Sequence, residues 1–155
     1  ALTVSVYAGS NWWHSMGQSW RNQVIVNAGR SHLGSHGGQC KEWVRQVVKN
    51  ASYQHVVIPP TYSSPYDSFW QYDQHGHLVG MPMYIEIVEV GNIIQMQLNG
   101  GIPHTAIVSK KESDGVWFLD SNWYGDERVD EHFVSYTSFK EKLESSWTYS
   151  IYMIR

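Results

Sequence analysis

The chain has 155 residues, enough for a single domain spanning residues 1–155 with a core of its own. Its net charge of −3 offers no basic patch for nucleic acid, and no apolar run reaches the length of a membrane span. The single cysteine excludes an internal disulfide framework but leaves the compartment open, since a secreted protein can keep one reactive thiol. The 8 Trp and 10 Tyr suit a surface that holds peptide or sugar, or equally a core built from large rings. The start at Ala1 suggests a processed, tagged or excised product, with any signal peptide already removed.

In chain order, residues 2–8 alternate and predict a short strand, broken by Gly9-Ser10-Asn11. From Gln18 to about Gly29, the recurrence of Trp20, Val24 and Ala28 predicts a helix. Residues 30–38 form a polar, glycine-rich loop. His32 and His36 within it are metal ligands or solvated loop histidines, and their spacing matches no zinc pattern. The stretch Gly37-Gly38-Gln39-Cys40-Lys41-Glu42-Trp43-Val44 follows. Cys40, Trp43, Val44, Val47, Val48 and Ala51 fall at i, i+3, i+4, i+7, i+8 and i+11, one apolar face of a helix. The lone thiol thus sits in a first helical turn, where unpaired N–H groups and a partial positive charge favour the thiolate. The alternative is a small buried hydrophobe.

Residues 53–82 read as irregular, punctuated by Pro59-Pro60, Pro65 and Gly76. Tyr62, Tyr66, Phe69, Trp70 and Tyr72 make this segment a binding wall or a loop pinned down by its own rings. His75 and His77 lack an evident third ligand, so no metal site is expected. Residues 84–90 predict an extended segment, Gly91-Asn92 a turn, 93–98 a strand and Asn99-Gly100-Gly101 a hairpin turn. Strands follow over 103–108, with His104, and over 116–120, ending in Asp120-Ser121-Asn122-Trp123. A strand over 131–136, a short helix opened by a Ser138/Glu141 capping box, and a strand over 149–154 complete the chain. Early helices and late strands indicate α+β: an antiparallel sheet with the Cys40 helix packed on it.

A thiolate nucleophile needs a base, and the base needs an orienting group. His104 at a strand start and Asp120 or Asn122 at the end of the neighbouring strand supply candidates. Each has a plainer reading as an edge histidine or a turn builder. The order Cys, His, then acid or amide carries more weight than any one of them.

The segments GGQCKEWV, PHTAIV and FLDSNW, in that order, resemble the CHAP family of cysteine, histidine-dependent amidohydrolases and peptidases, grouped with NlpC/P60 proteins in the papain-like superfamily. Gln39-Cys40, His104-Thr105-Ala106-Ile107-Val108 and Asp120-Ser121-Asn122-Trp123 match the family pattern. Gly91-Asn92 stands where Gly-Asp is usual, and Asp120 where Glu is commoner. The similarity runs from about Gly37 to the C-terminus.

This resemblance implies a papain-like fold and hydrolysis of an amide bond in peptidoglycan, either between sugar and stem peptide or within the peptides. It makes Cys40 the nucleophile, His104 the base and then acid, and Asp120 or Asn122 the orienter. Gln39 and the Cys40 N–H would stabilise the oxyanion. It implies no cofactor, a cell-wall substrate, a monomer, and a secreted or cell-wall location. Trp123, Trp70 and Tyr62 are candidate substrate contacts, Trp123 being equally readable as a support beneath the site. Two rival functions are a papain-like toxin protease or deamidase acting on protein, and a non-catalytic glycan- or peptide-binding module with an inert Cys40.

Overall fold

Apolar residues alternate between two faces along the central strands of the chain, and both faces are covered. The computed structural model describes residues 12–58, 78–81, 84–97, 103–142 and 149–155. These comprise α1 (Trp12–Ser15), α2 (Gln18–Arg30), α3 (Cys40–Ala51), β1 (Leu78–Met81), a 3-10 turn (Ile85–Ile87), β2 (Ile93–Gln97), β3 (Pro103–Lys111), β4 (Gly115–Ser121), β5 (Val129–Ser135), α4 (Tyr136–Lys142) and β6 (Tyr149–Ile154). The six strands form one antiparallel sheet in the order β1-β6-β2-β3-β4-β5. The architecture is therefore α+β. The expected strand over 2–8, the aromatic segment with Tyr62, Trp70, His75 and His77, and the Asn99-Gly100-Gly101 turn lie outside the described residues.

The sheet is covered on both faces. Ile93, Ile107, Leu119, Val129, Tyr152 and Ile154 pack against Ile25 and Val26 of α2 and Trp43, Val44, Val47 and Val48 of α3. The residues between them in the alternation, including Ile94, Met96, Ala106, Val108, Phe118 and Ile151, pack with Ile85, Val88 and Phe139. This explains why β3 and β4 read as nearly continuous apolar runs.

The helix expected from the recurrence of Trp20, Val24 and Ala28 forms as α2, with Asn22, Ile25, Val26 and Gly29 buried, Val24 and Ala28 partly buried against the core and Trp20 exposed. A Cβ on Gly29 would come within 2.7 Å of Leu119, so the glycine lets this face lie against the sheet. Three expectations are corrected. Residues 84–90 contain the 3-10 turn and no strand, because Ile85 and Val88 are buried at a spacing of three. Within the segment expected to be irregular, Leu78–Met81 pairs with β6 as an edge strand. The last helix begins at Tyr136, two residues before the expected cap, with Ser135 Oγ accepting the Ser138 N–H at 3.0 Å.

Gly91, with φ of +94°, enters β2 directly against α2, where a Cβ would meet Asn22 Cβ at 2.3 Å and its Cα at 2.6 Å. Gly91→Ala is therefore expected to cost about 2 kcal/mol or more through strain and overpacking. An unchanged thermal midpoint would contradict so tight a seam.

Candidate active site

Cys40 opens α3, and the loop before it fixes where that helix starts. Gly34 N–H donates to Val129 C=O (2.9 Å), Val129 N–H to Ser35 C=O (3.0 Å) and Gly37 N–H to Glu127 C=O (2.8 Å). Ser121 Oγ, at the end of β4, donates to Gly38 C=O at 2.7 Å. A Cβ on Gly37 would lie 2.5 Å from Ser121 Oγ and 2.7 Å from Val129 Cγ2, so the approach requires glycine. The glycine pair seen in the sequence thus fastens the thiol-bearing end of α3 to the ends of β4 and β5.

The sheet register supplies the partners. Ile107 pairs with Leu119 and Val108 with Phe118. Continued to the strand ends, this alternation places His104 and Asp120 on one face as diagonal neighbours. Phe118 also pairs with His132, which puts a second histidine diagonal to Asp120 from the other side. His104 Nε2 lies 2.9 Å from Asp120 Oδ2, and His132 Nε2 lies 3.1 Å from the same oxygen. Both contacts are at ion-pair distance but off the line of an ideal hydrogen bond, and neither carboxylate oxygen has an aligned donor among the described residues. Asp120 has no exposure and His104 only 8%.

The half-buried Cys40 thiol is hydrogen-bonded to His104 and to the backbone N–H groups of Thr105 and Lys41. Burial alone would push this thiol up. The hydrogen bond and charge of His104, with those N–H groups, bring it below its ordinary value. Burial likewise opposes charge on His104, yet Asp120 and Cys40 raise it to about 9. Asp120 is pushed up by burial and brought below the usual carboxylate range by His104 and His132. All three shifts run toward a thiolate beside an imidazolium, backed by a buried carboxylate. Cys40 is accordingly expected to outpace a free thiol with iodoacetamide at about pH 6. His104→Ala should slow that labelling about tenfold or more. Equal rates for wild type and His104→Ala across the pH range would remove His104 as the partner of the thiol.

Asn122 occupies a different place from the one open to it in the sequence. With φ of +71°, it accepts the Glu127 N–H on Oδ1 at 2.8 Å and donates from Nδ2 to Gln39 Oε1 at 3.3 Å. Asp120, not Asn122, is at His104. Gln39 Nε2 in turn donates to Glu127 Oε1 at 3.2 Å, so the residue before the thiol is held from both sides. Trp123 meets the His104 ring edge-on at 5.1 Å and lies 4.2 Å from the His132 ring, so it walls both imidazoles. His36 contacts Glu127 at 3.2 Å and is exposed. Among the described residues no three His, Cys, Asp or Glu side chains are arranged to hold a metal.

His132 and Glu127 were not singled out from the sequence. The signal for His132 was the register itself: with β4 and β5 paired as a hairpin, it falls two residues beyond the partner of Asp120. The strand begins at Val129, two residues before the expected start at Glu131.

The fold and site together define an α+β protein with a cysteine, a histidine and a buried aspartate in one contact chain. The crystal structure of Ly7917 is similar to it, with a TM-score of 0.62 and 16% identity over 84% of this chain and 61% of that one. The crystal structure of Ly7917 with the hydrolyzing product of MDP gives a TM-score of 0.61 and 15% identity over 84% and 62%. At such identity the likeness is one of fold, and this chain spans about three-fifths of those structures. No family model matches the sequence, and no curated protein does.

Proposed function

We propose that this protein is a thiol amidohydrolase or endopeptidase of the CHAP type, with a papain-like fold, that cleaves an amide bond in peptidoglycan outside the cell or in the cell wall. The observation that carries the reading is the Cys40–His104–Asp120 chain at the start of a helix packed on the sheet. Two further points support it: the motif order along the sequence, and a fold shared with a protein crystallised with the hydrolyzing product of MDP.

In this mechanism the Cys40 thiolate attacks the scissile carbonyl carbon, and its oxygen takes the negative charge. The roles of oxyanion donors are assigned to the backbone N–H of Cys40 and the Gln39 amide. An amide nitrogen carries two N–H groups, of which one is committed to Glu127. The His104 imidazolium gives its proton to the leaving amine as the C–N bond breaks, leaving a thioester on Cys40. Neutral His104 then takes a proton from water, whose oxygen attacks the thioester, and the thiolate leaves. Asp120 balances the imidazolium whenever His104 is protonated and orients the ring in both states.

The rate should fall at low pH as the thiolate takes up a proton. It should fall again as pH rises through about 9, where His104 loses the proton that the leaving amine needs. The substrate class is tested by amine release from purified peptidoglycan, a denatured protein and a glutamine-containing peptide in parallel. Release from peptidoglycan alone supports the reading. Release confined to the protein or the peptide would replace it with the protease or deamidase alternative.

A further inference from the structure

His132 has no part in the mechanism just described, yet it is one of only two side chains at the carboxylate of Asp120 among the described residues. We propose that His132 is a positioning residue, whose Nε2 contact at 3.1 Å from Oδ2 holds the buried Asp120 carboxylate charged and aimed at His104. The inference rests on the proposed Cys40–His104–Asp120 assignment and extends it.

Asp120 is fully buried and its oxygens accept no aligned hydrogen bond among the described residues, so its charge depends on the two imidazoles at ion-pair distance. His104 fills this role only in part: it keeps the Nε2 proton that faces Asp120 but loses its positive charge each time the other ring nitrogen protonates the leaving group. A carboxylate oxygen only accepts, so the His132 nitrogen facing it must carry a proton. The imidazole is itself fixed from three sides. Trp123 lies 4.2 Å from it, Phe118 6.5 Å and Tyr124 6.3 Å, ring centre to ring centre. Its placement on β5 diagonal to Asp120 is set by the sheet register, independently of Cys40. The other titratable groups facing the pair are His104 from β3, Cys40 from α3, Tyr124 from the β4–β5 loop, and Asp130, which stands opposite Asp120 on β5. Nearby α4 contributes Phe139 against Phe118.

The sign follows from what is lost. Without the His132 donor, Asp120 takes up a proton at a higher pH, and a neutral acid no longer balances the imidazolium beside the thiolate. The acid limb of Cys40 reactivity should therefore move up. The test is the pH profile of iodoacetamide labelling of Cys40 in the full chain, which needs no substrate. His132→Phe keeps a ring against Trp123 but removes the donor. It should raise the acid limb by about one pH unit, a loss of about tenfold in rate at the foot of the profile. His132→Gln restores an N–H at the position of Nε2 and should return the limb to within a few tenths of a unit of wild type. His132→Leu takes the place of the Phe variant if the larger ring does not fold.

A wild-type acid limb in His132→Phe, or equal displacement in the Phe and Gln variants, would overturn the proposal. The outcomes also separate the two levels of the account. If wild-type Cys40 labels no faster than a free thiol, the underlying triad fails. If it labels fast and His132→Phe follows the same profile, only the role of His132 fails.

Discussion

Cys40→Ala is expected to abolish amide hydrolysis, lowering kcat/KM by about 10⁵-fold or more, while the protein stays folded. The size of the effect follows from the chemistry: no other described group at the site is placed to attack a carbonyl, and Cys40 is the sole cysteine. Retention of the fold follows from packing. The helix is anchored by Trp43, Val44, Val47 and Val48, all in the core, whereas Cys40 is half-buried at its end. Cys40→Ser should fare little better, because a serine hydroxyl is too weakly acidic for this histidine to activate in a site arranged for a thiolate. The check is turnover on peptidoglycan alongside circular dichroism. Wild-type turnover in a folded Cys40→Ala variant would end the assignment.

Asp120→Ala should be nearly as damaging, costing on the order of 10³- to 10⁴-fold in kcat by analogy with the orienting acids of other triads. It removes the charge that raises His104 and leaves a buried imidazolium beside a cavity. Asn122→Ala should cost only about tenfold, since the described hydrogen bonds of its amide go to Gln39 and the Glu127 backbone. The positive φ of Asn122 complicates the alanine variant, because alanine is strained there. Asn122→Gly keeps the backbone and removes only the amide, so it isolates the loss of the Gln39 contact. If kcat falls further in Asn122→Gly than in Asp120→Ala, the orienting role moves to Asn122.

The helix bearing the thiol was legible in the sequence because its apolar stripe is unbroken from Trp43 to Ala51, and the strands around His104 and Asp120 because turns bracket them. Which face of α2 is buried was not legible. Trp20 dominates a hydrophobicity pattern, but a helix lying close on a sheet needs a small residue at the contact, here Gly29 against Leu119. The triad members could be named but not joined, and the choice between Asp120 and Asn122 was beyond local pattern. It depends on the pleat, which puts residue 120 on the face of His104, and on a left-handed residue at 122 that turns its amide away. His132 and Glu127 act across strands or loops 12 and 88 residues from Asp120 and Gln39, and nothing local marks either of them.

The most direct test of the central claim is mass spectrometry of fragments from purified peptidoglycan digested by the wild-type protein, with Cys40→Ala in parallel. The account predicts fragments ending in a new amine and a new carboxylic acid, the mass of one water added across one kind of amide bond, and none from the variant. An undigested wall with wild type, cleavage between sugars, or the same fragments from Cys40→Ala would contradict it.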